Sequence, residues 1–210
     1  MAYELHPYPD LRQSDVENAK LFANRIRMIE WLAERNQCAR IAEIGVARGD
    51  FSTVLLEAFQ PSEFVAFDVF KMHTEPLVFG MPPTEYFGGD KTHADYYRDR
   101  FADKPVTIEI GRSQTMLASY PDEHFDLIYV DGDHSFEGVR DDAELGAKKL
   151  KETGVLVFND YTMYDYLNNF PYGVIQVVNV MVVEQSWEVI GFALQRGMFC
   201  DIAITRRTHP

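Results

Sequence analysis

The spacing of apolar and polar positions changes several times along the chain, and each change marks an element. Ser14-Asp-Val-Glu17 reads as a capping box. Val16, Ala19, Phe22, Ala23, Ile26, Ile29 and Ala33 then recur at helical spacing. This predicts one amphipathic helix of about six turns within an N-terminal helical segment, residues 1–37. Residues 40–45 alternate apolar and polar and predict a short strand. Gly45 and Gly49 allow a tight turn, 51–59 opens an amphipathic helix, and 64–69 is a second strand that contains Asp68. Residues 92–101 read as a helix, and Val106–Ile110 as a third strand. Phe125–Val130 is an apolar run and forms a fourth strand. Ser135 caps a helix with Phe136, Val139, Ala143 and Leu150 on one face, which Gly154 stops. A fifth strand follows at 155–158. Residues 173–184 are rich in β-branched side chains, and their periodicity leaves helix and strand both open. The segments 187–194 and 199–205, joined by a short Gln195-Arg-Gly turn, read as a hairpin.

Strand, glycine turn, helix, strand and acid make the first half of a nucleotide-binding α/β unit. The near-continuous apolar character of strands four and five suits parallel strands covered on both faces. Ligands in such sheets sit beyond the carboxyl ends of the strands, where this chain places Gly45, Asp68, Asp131 and Asp160. Residues 70–90 mix Pro76, Pro82, Pro83, Gly80, Gly88 and Gly89 with Phe79, Tyr86 and Phe87. An irregular loop of that length and apolarity reads as a cap over a substrate, or as surface packing.

Composition narrows the function classes. At 210 residues the chain suits one α/β domain, 1–210, and its 46% hydrophobic and 25% charged content is that of a globular protein. Twenty Lys and Arg against 33 Asp and Glu leave a net charge of −13, which disfavours nucleic acid and anionic membrane as partners. Two cysteines make neither a disulfide framework nor a thiolate metal site. With no run of transmembrane length and no signal-peptide pattern, the expected location is cytoplasmic.

The glycine turn carries the first chemical question. A dinucleotide fold wants G-x-G-x-x-G, so that backbone can approach a pyrophosphate. Counting from Gly45, the second position is Ala47 and the third is Asp50, a carboxylate facing two phosphate charges. S-adenosylmethionine has no phosphate and is cationic at sulfur and nitrogen, so Glu43 and Asp50 suit it better. Asp68 can accept both ribose hydroxyls, and Ser113 and Gln114 can bond an adenine edge. Asp131, Asp133, Asn159 and Asp160 form a second constellation of hard oxygen donors. Three of them, Asp131, Asn159 and Asp160, would give Mg²⁺ a ligand charge of −2, and without a cation they would repel one another. The alternative is that they are loop acids and helix caps. Zinc fits less well, because His134 is the one soft ligand near by. His134 and Asp133 compete as the base for a substrate hydroxyl.

The glycine turn, Asp68, GRSQ (111–114), YVDGDHSFEGVRDD (129–142) and VLVFNDY (155–161) together resemble class I S-adenosylmethionine-dependent methyltransferases. The likeness is closest to the small bacterial group that includes metal-dependent sugar O-methyltransferases, and runs from about Arg40 to the C-terminal hairpin. It implies a Rossmann-like sheet of order 3-2-1-4-5-7-6 with strand 7 antiparallel, helices on both faces, and a helix at 173–184. It also implies a cofactor-facing set of Glu43, Gly45, Gly49, Asp68, Ser113, Gln114 and Asp131, with Asp131, Asn159 and Asp160 on the metal. Two departures stand out: Ala47 replaces a second glycine, and Asn159 precedes Asp160 where relatives have Asp-Asn or two acids. The expectation is O-methyl transfer to a hydroxylated small molecule such as a sugar or natural-product diol, by an enzyme that forms homo-oligomers. The rivals are an NAD(P)-dependent oxidoreductase and a non-catalytic cofactor-binding protein of the same fold.

Overall fold

Each central strand carries apolar side chains on both of its faces, and this places the sheet between two helix layers. The computed structural model describes residues 6–207. In chain order the elements are α1 (Gln13–Val16), β1 (Lys20–Phe22), α2 (Arg25–Arg35), β2 (Arg40–Ile44), α3 (Asp50–Phe59) and β3 (Glu63–Asp68). Then come α4 (Pro83–Tyr86), α5 (His93–Arg100), β4 (Val106–Ile110), α6 (Ser113–Met116), β5 (Phe125–Val130), α7 (Phe136–Lys149) and β6 (Leu150–Phe158). A small ribbon of β7 (Tyr164–Asp165) and β8 (Phe170–Pro171) precedes α8 (Val174–Glu184), β9 (Trp187–Ala193) and β10 (Asp201–Arg206).

Eight strands form one sheet in the order β1-β9-β10-β6-β5-β2-β3-β4. Strands β2 to β6 pair in parallel, and β10 runs antiparallel to both β6 and β9. This is the expected 3-2-1-4-5-7-6 order with one strand added, because β1 pairs in parallel with β9 at the edge. Alternate residues of each strand go to opposite layers. Ile41, Phe64, Leu127 and Val155 pack with α2, α3 and α5, whereas Ala42, Val65, Ile128 and Leu156 pack with α7 and α8. Residues 173–184 are helical after Gly173, as the resemblance implied. Among the described residues no helix is long and apolar enough to cross a membrane.

The single N-terminal helix does not form. Ser14 lies inside α1, and Arg12 takes the cap position and bonds the buried Asp15 carboxylate through its backbone N (2.8 Å) and Nε (3.0 Å). Lys20–Phe22 instead pairs with residues 191–193, and the Asn24 side chain accepts the Arg27 N–H (3.0 Å) to start a separate helix. Pairing with a distant strand overrides a local period that fits a helix equally well. The end of α7 also differs: β6 begins at Leu150, and Gly154 lies inside it. There the register against β5 shifts, and a Cβ at 154 would stand 2.5 Å from Leu150 Cγ.

Loop 70–90 has its own packing. Val78 and Met81 exchange backbone bonds, and the buried Val78, Tyr86 and Phe87 gather Met72, Met81 and Tyr96 around them. Leu77 and Phe79 stay exposed.

Candidate active site

Register brings the carboxyl ends of β2, β3, β5 and β6 to one level: Ile44 pairs with Phe67 and Val130, and Val130 with Phe158. The next residues on β2, β5 and β6 continue the ladder. Gly45 N donates to Phe67 O (2.8 Å), Asp131 N to Ile44 O (2.8 Å) and Asn159 N to Val130 O (3.0 Å). Gly45 turns at φ +79°, and a Cβ there would lie 2.0 Å from the Asp131 carbonyl oxygen. Only glycine fits that crossing of two chains.

Glu43 is fully buried at the foot of the turn. Its Oε2 accepts the Ser52 hydroxyl (2.5 Å), which in turn accepts Tyr97 OH (2.8 Å). Burial pushes the Glu43 carboxyl up to about 8, against the bond from Ser52 and the charge of Arg25. Asp68 Oδ2 accepts the Val46 N–H (3.0 Å) and Oδ1 the Phe70 N–H (2.7 Å), so this acid joins the glycine turn to the start of loop 70–90. Asp50 behaves differently from the sequence expectation. It is exposed and paired with Arg48 and Arg100 (both 2.8 Å), so it adds no open negative charge to the turn.

Ser113 and Gln114 meet on one acceptor, Asp142 Oδ1, at 2.6 and 3.1 Å. Asp142 is buried on α7, its carboxyl pushed up by burial to about 6. A Cβ on Gly132 would lie 3.5 Å from Asp142 Oδ2, so the end of β5 completes this corner. Sequence reasoning passed over Asp142, although it lies on the Val139–Ala143 face, where an acid needs a partner.

The second constellation is only partly as expected. Asp131 and Asp160 face His134, whose Nε2 lies 3.7 Å from Asp131 Oδ1 and 3.9 Å from Asp160 Oδ2. Burial and then Asp160 raise the Asp131 carboxyl well above the usual range, and burial and then Asp201 take Asp160 to about 7. Asp160 holds φ +56°, a left-handed conformation that Asp tolerates better than most residues. His134 Nε2 is buried without a hydrogen-bond partner, the ring stacks on Tyr172 (4.5 Å, 14°), and burial lowers its pKa. The Asn159 side chain and the Gly132 backbone act against that lowering, as does the charge of Asp133. Asp133 is exposed, and its Oδ1 accepts the Ser135 N–H (2.9 Å) at the start of α7. Asn159 Nδ2 donates to Asp201 Oδ1 (3.1 Å), and Asp201 Oδ2 accepts Tyr129 OH (2.6 Å). Arg25 Nη1 reaches Tyr129 OH at 3.4 Å. Neither Arg25 nor Asp201 stood out in the sequence; an acid opening an otherwise apolar strand was the available signal. Among the described residues no three His, Cys, Asp or Glu side chains converge as a ready-made metal site.

Sheet order, glycine turn and terminal acids together define the class I methyltransferase architecture. The sequence of a methyltransferase domain family matches residues 42–161, and the chain belongs to that family, a class of S-adenosylmethionine-dependent enzymes. Comparison with curated proteins gives no sequence match. Three solved structures illustrate the fold. The cofactor-bound Rv0187 from MTB superposes with a TM-score of 0.63 at 15% identity, covering 88% of this chain and 80% of that one. An O-methyltransferase from Bacillus cereus in complex with SAH gives 0.61 at 16% identity, covering 87% and 80%. The O-methyltransferase TomG from Streptomyces achromogenes, involved in tomaymycin synthesis and solved with SAM, gives 0.61 at 16%, also covering 87% and 80%. The family does not favour the oxidoreductase alternative.

Proposed function

We propose that the protein transfers the methyl group of S-adenosylmethionine to a hydroxyl of a small molecule, most simply one hydroxyl of a vicinal diol on a sugar or natural product. The observation that carries this reading is the unpartnered Nε2 of His134, buried between Asp131 and Asp160 and beside the glycine turn. That the Bacillus cereus and Streptomyces achromogenes neighbours are O-methyltransferases, one of them in natural-product synthesis, supports oxygen as the acceptor.

The donor, when bound, supplies a methyl group made electrophilic by a cationic sulfur. The turn from Gly45 to Gly49 seats it, with Glu43 toward its amino-acid end, Asp68 toward the ribose and the Ser113–Gln114–Asp142 corner toward the adenine. Asp131 borders this seat as the residue against which Gly45 packs. His134 Nε2 takes the proton of the attacking hydroxyl, with burial keeping the imidazole neutral and Tyr172 fixing its plane. Asp133 is the competing base, although its capping bond to Ser135 occupies one oxygen. The donor chemistry of Asp131, Asn159 and Asp160 fits Mg²⁺: two half-buried carboxylates, the first raised by the charge of the second, beside an amide. Held there, Mg²⁺ would supply the positive charge that lowers the pKa of the acceptor hydroxyl. Loop 70–90 caps the acceptor, and the working form is a cytoplasmic homo-oligomer.

The test is methyl transfer to a panel of sugar and catechol diols, with S-adenosylhomocysteine affinity measured by calorimetry. Turnover is expected to stop in a chelator and return with Mg²⁺. Asp160→Asn, which suits the left-handed backbone, should lower kcat at least ~100-fold while leaving cofactor affinity within about threefold. His134→Ala should lower kcat by a similar factor. Full activity in the chelator would remove the metal; lost cofactor affinity in Asp160→Asn would remove its ligand assignment.

A further inference from the structure

Helix α5 braces the glycine turn. His93, Tyr97, Arg100 and Phe101 are spaced to share one side of the helix, and all four reach residues 47–53. His93 Nε2 donates to the Ala47 carbonyl, and Arg100 Nη1 donates to Arg48 O (2.7 Å) and Asp50 Oδ1 (2.8 Å). The rings of Phe101 and Tyr97 come so close to Gly49 that a Cβ there would meet them at 2.5 and 2.9 Å. Ala47 itself holds φ +44°, the left-handed region in which a Cβ crowds the following carbonyl. His93 is fully buried between the rings of Phe70 (4.8 Å) and Phe87 (5.1 Å), both in loop 70–90. A buried imidazole is thus fastened to the one non-glycine residue of the turn that pays a conformational cost.

We propose that His93 is a positioning residue for the methyl donor: its Nε2–H holds the Ala47 peptide in the left-handed conformation that shapes the donor's seat. This rests on the reading of the turn as that seat. Without the bond, Ala47 relaxes toward negative φ, its carbonyl swings, and the turn no longer presents the same surface. Glycine at position 47 would need no such hold, because it adopts positive φ freely. The contribution of His93 is therefore coupled to the identity of residue 47.

The experiment is a double-mutant cycle on the full chain, read as S-adenosylhomocysteine affinity by calorimetry, with circular dichroism melts establishing that each variant is folded. His93→Leu fills the slot between Phe70 and Phe87 but donates nothing; His93→Gln keeps an N–H donor. His93→Leu is expected to weaken binding about tenfold, a size set by the left-handed penalty of an alanine. His93→Gln, and His93→Leu in the Ala47→Gly background, should each lose less than about threefold. Equal losses in both backgrounds, or equal losses for Leu and Gln, overturn the proposal. Should His93→Leu fail to fold, His93→Asn, too short to reach the carbonyl, takes its place with the same expectations. Asp68→Asn separates the two readings: unchanged affinity there means that the turn is not the donor's seat, and the role of His93 falls with it.

Discussion

Gly45 shows how narrow the tolerance is at the level of one residue. The Cβ of an alanine would stand 2.0 Å from the Asp131 carbonyl oxygen, and the backbone at φ +79° disfavours it as well. Gly45→Ala is expected to cost at least ~3 kcal/mol in urea denaturation, because neither chain can move without breaking the ladder between β2 and β5. An ordinary surface value near ~0.5 kcal/mol would contradict the packing described. Glu43 is the opposite kind of residue, readable as an acid in the sequence but not as a protonated one. The sequence marked it as an acid suited to a cationic cofactor, and the strand, buried on both faces, is what raises its carboxyl. Asp50 was legible as an acid near the turn, yet its two arginine partners come from residue 48 and from α5, 50 residues away, which no local pattern announces.

Among the elements, loop 70–90 is the one whose role is most open to a direct test. Phe79 is 72% exposed while the loop's own core lies beneath it. Phe79→Ala should raise the acceptor KM several-fold, leave S-adenosylhomocysteine affinity unchanged, and alter stability by less than ~0.5 kcal/mol. An unchanged KM would assign the loop to packing alone. The central elements were legible because strands buried on both faces write long apolar runs, and because glycine and acid punctuate their ends. Strand β1 was not legible: it has three residues, and its partners lie about 170 positions further on. Helix α8 was ambiguous for a related reason, since a buried helix and a buried strand share a β-branched composition, and only the family resemblance separated them. Asp142 and Asp201 illustrate the same limit at the site, where tertiary contacts decide which of many acids become buried.

For the whole molecule, titration of Glu43 gives stability a definite slope. Its folded pKa of about 8 lies above its ordinary 4.5, so the native state binds a proton that the unfolded chain has released. Stability from this group is complete below pH 4.5 and is lost as pH rises toward 8. His93 and His134 have lowered pKa values and act in the opposite sense, but only below about 6.5, where the unfolded chain protonates them. Between pH 6.5 and 8 the donor-free protein should therefore lose up to ~1.4 kcal/mol per pH unit through Glu43, on top of losses of the same sign from the raised carboxyls of Asp131 and Asp160, and Glu43→Gln should reduce the slope. Urea midpoints across that range measure it; a rise instead of a fall would refute it.

The two borders of the sheet carry a consequence for assembly. One is the three-residue β1 and the other the five-residue β4, where Tyr120 OH bonds the Glu109 carboxylate (2.9 Å). Short rims bearing charge are poor templates for backbone pairing with another chain. Copies of this protein that associate would therefore meet flank to flank through helices or ribbon, and each would keep its own eight-stranded layer closed to its neighbour.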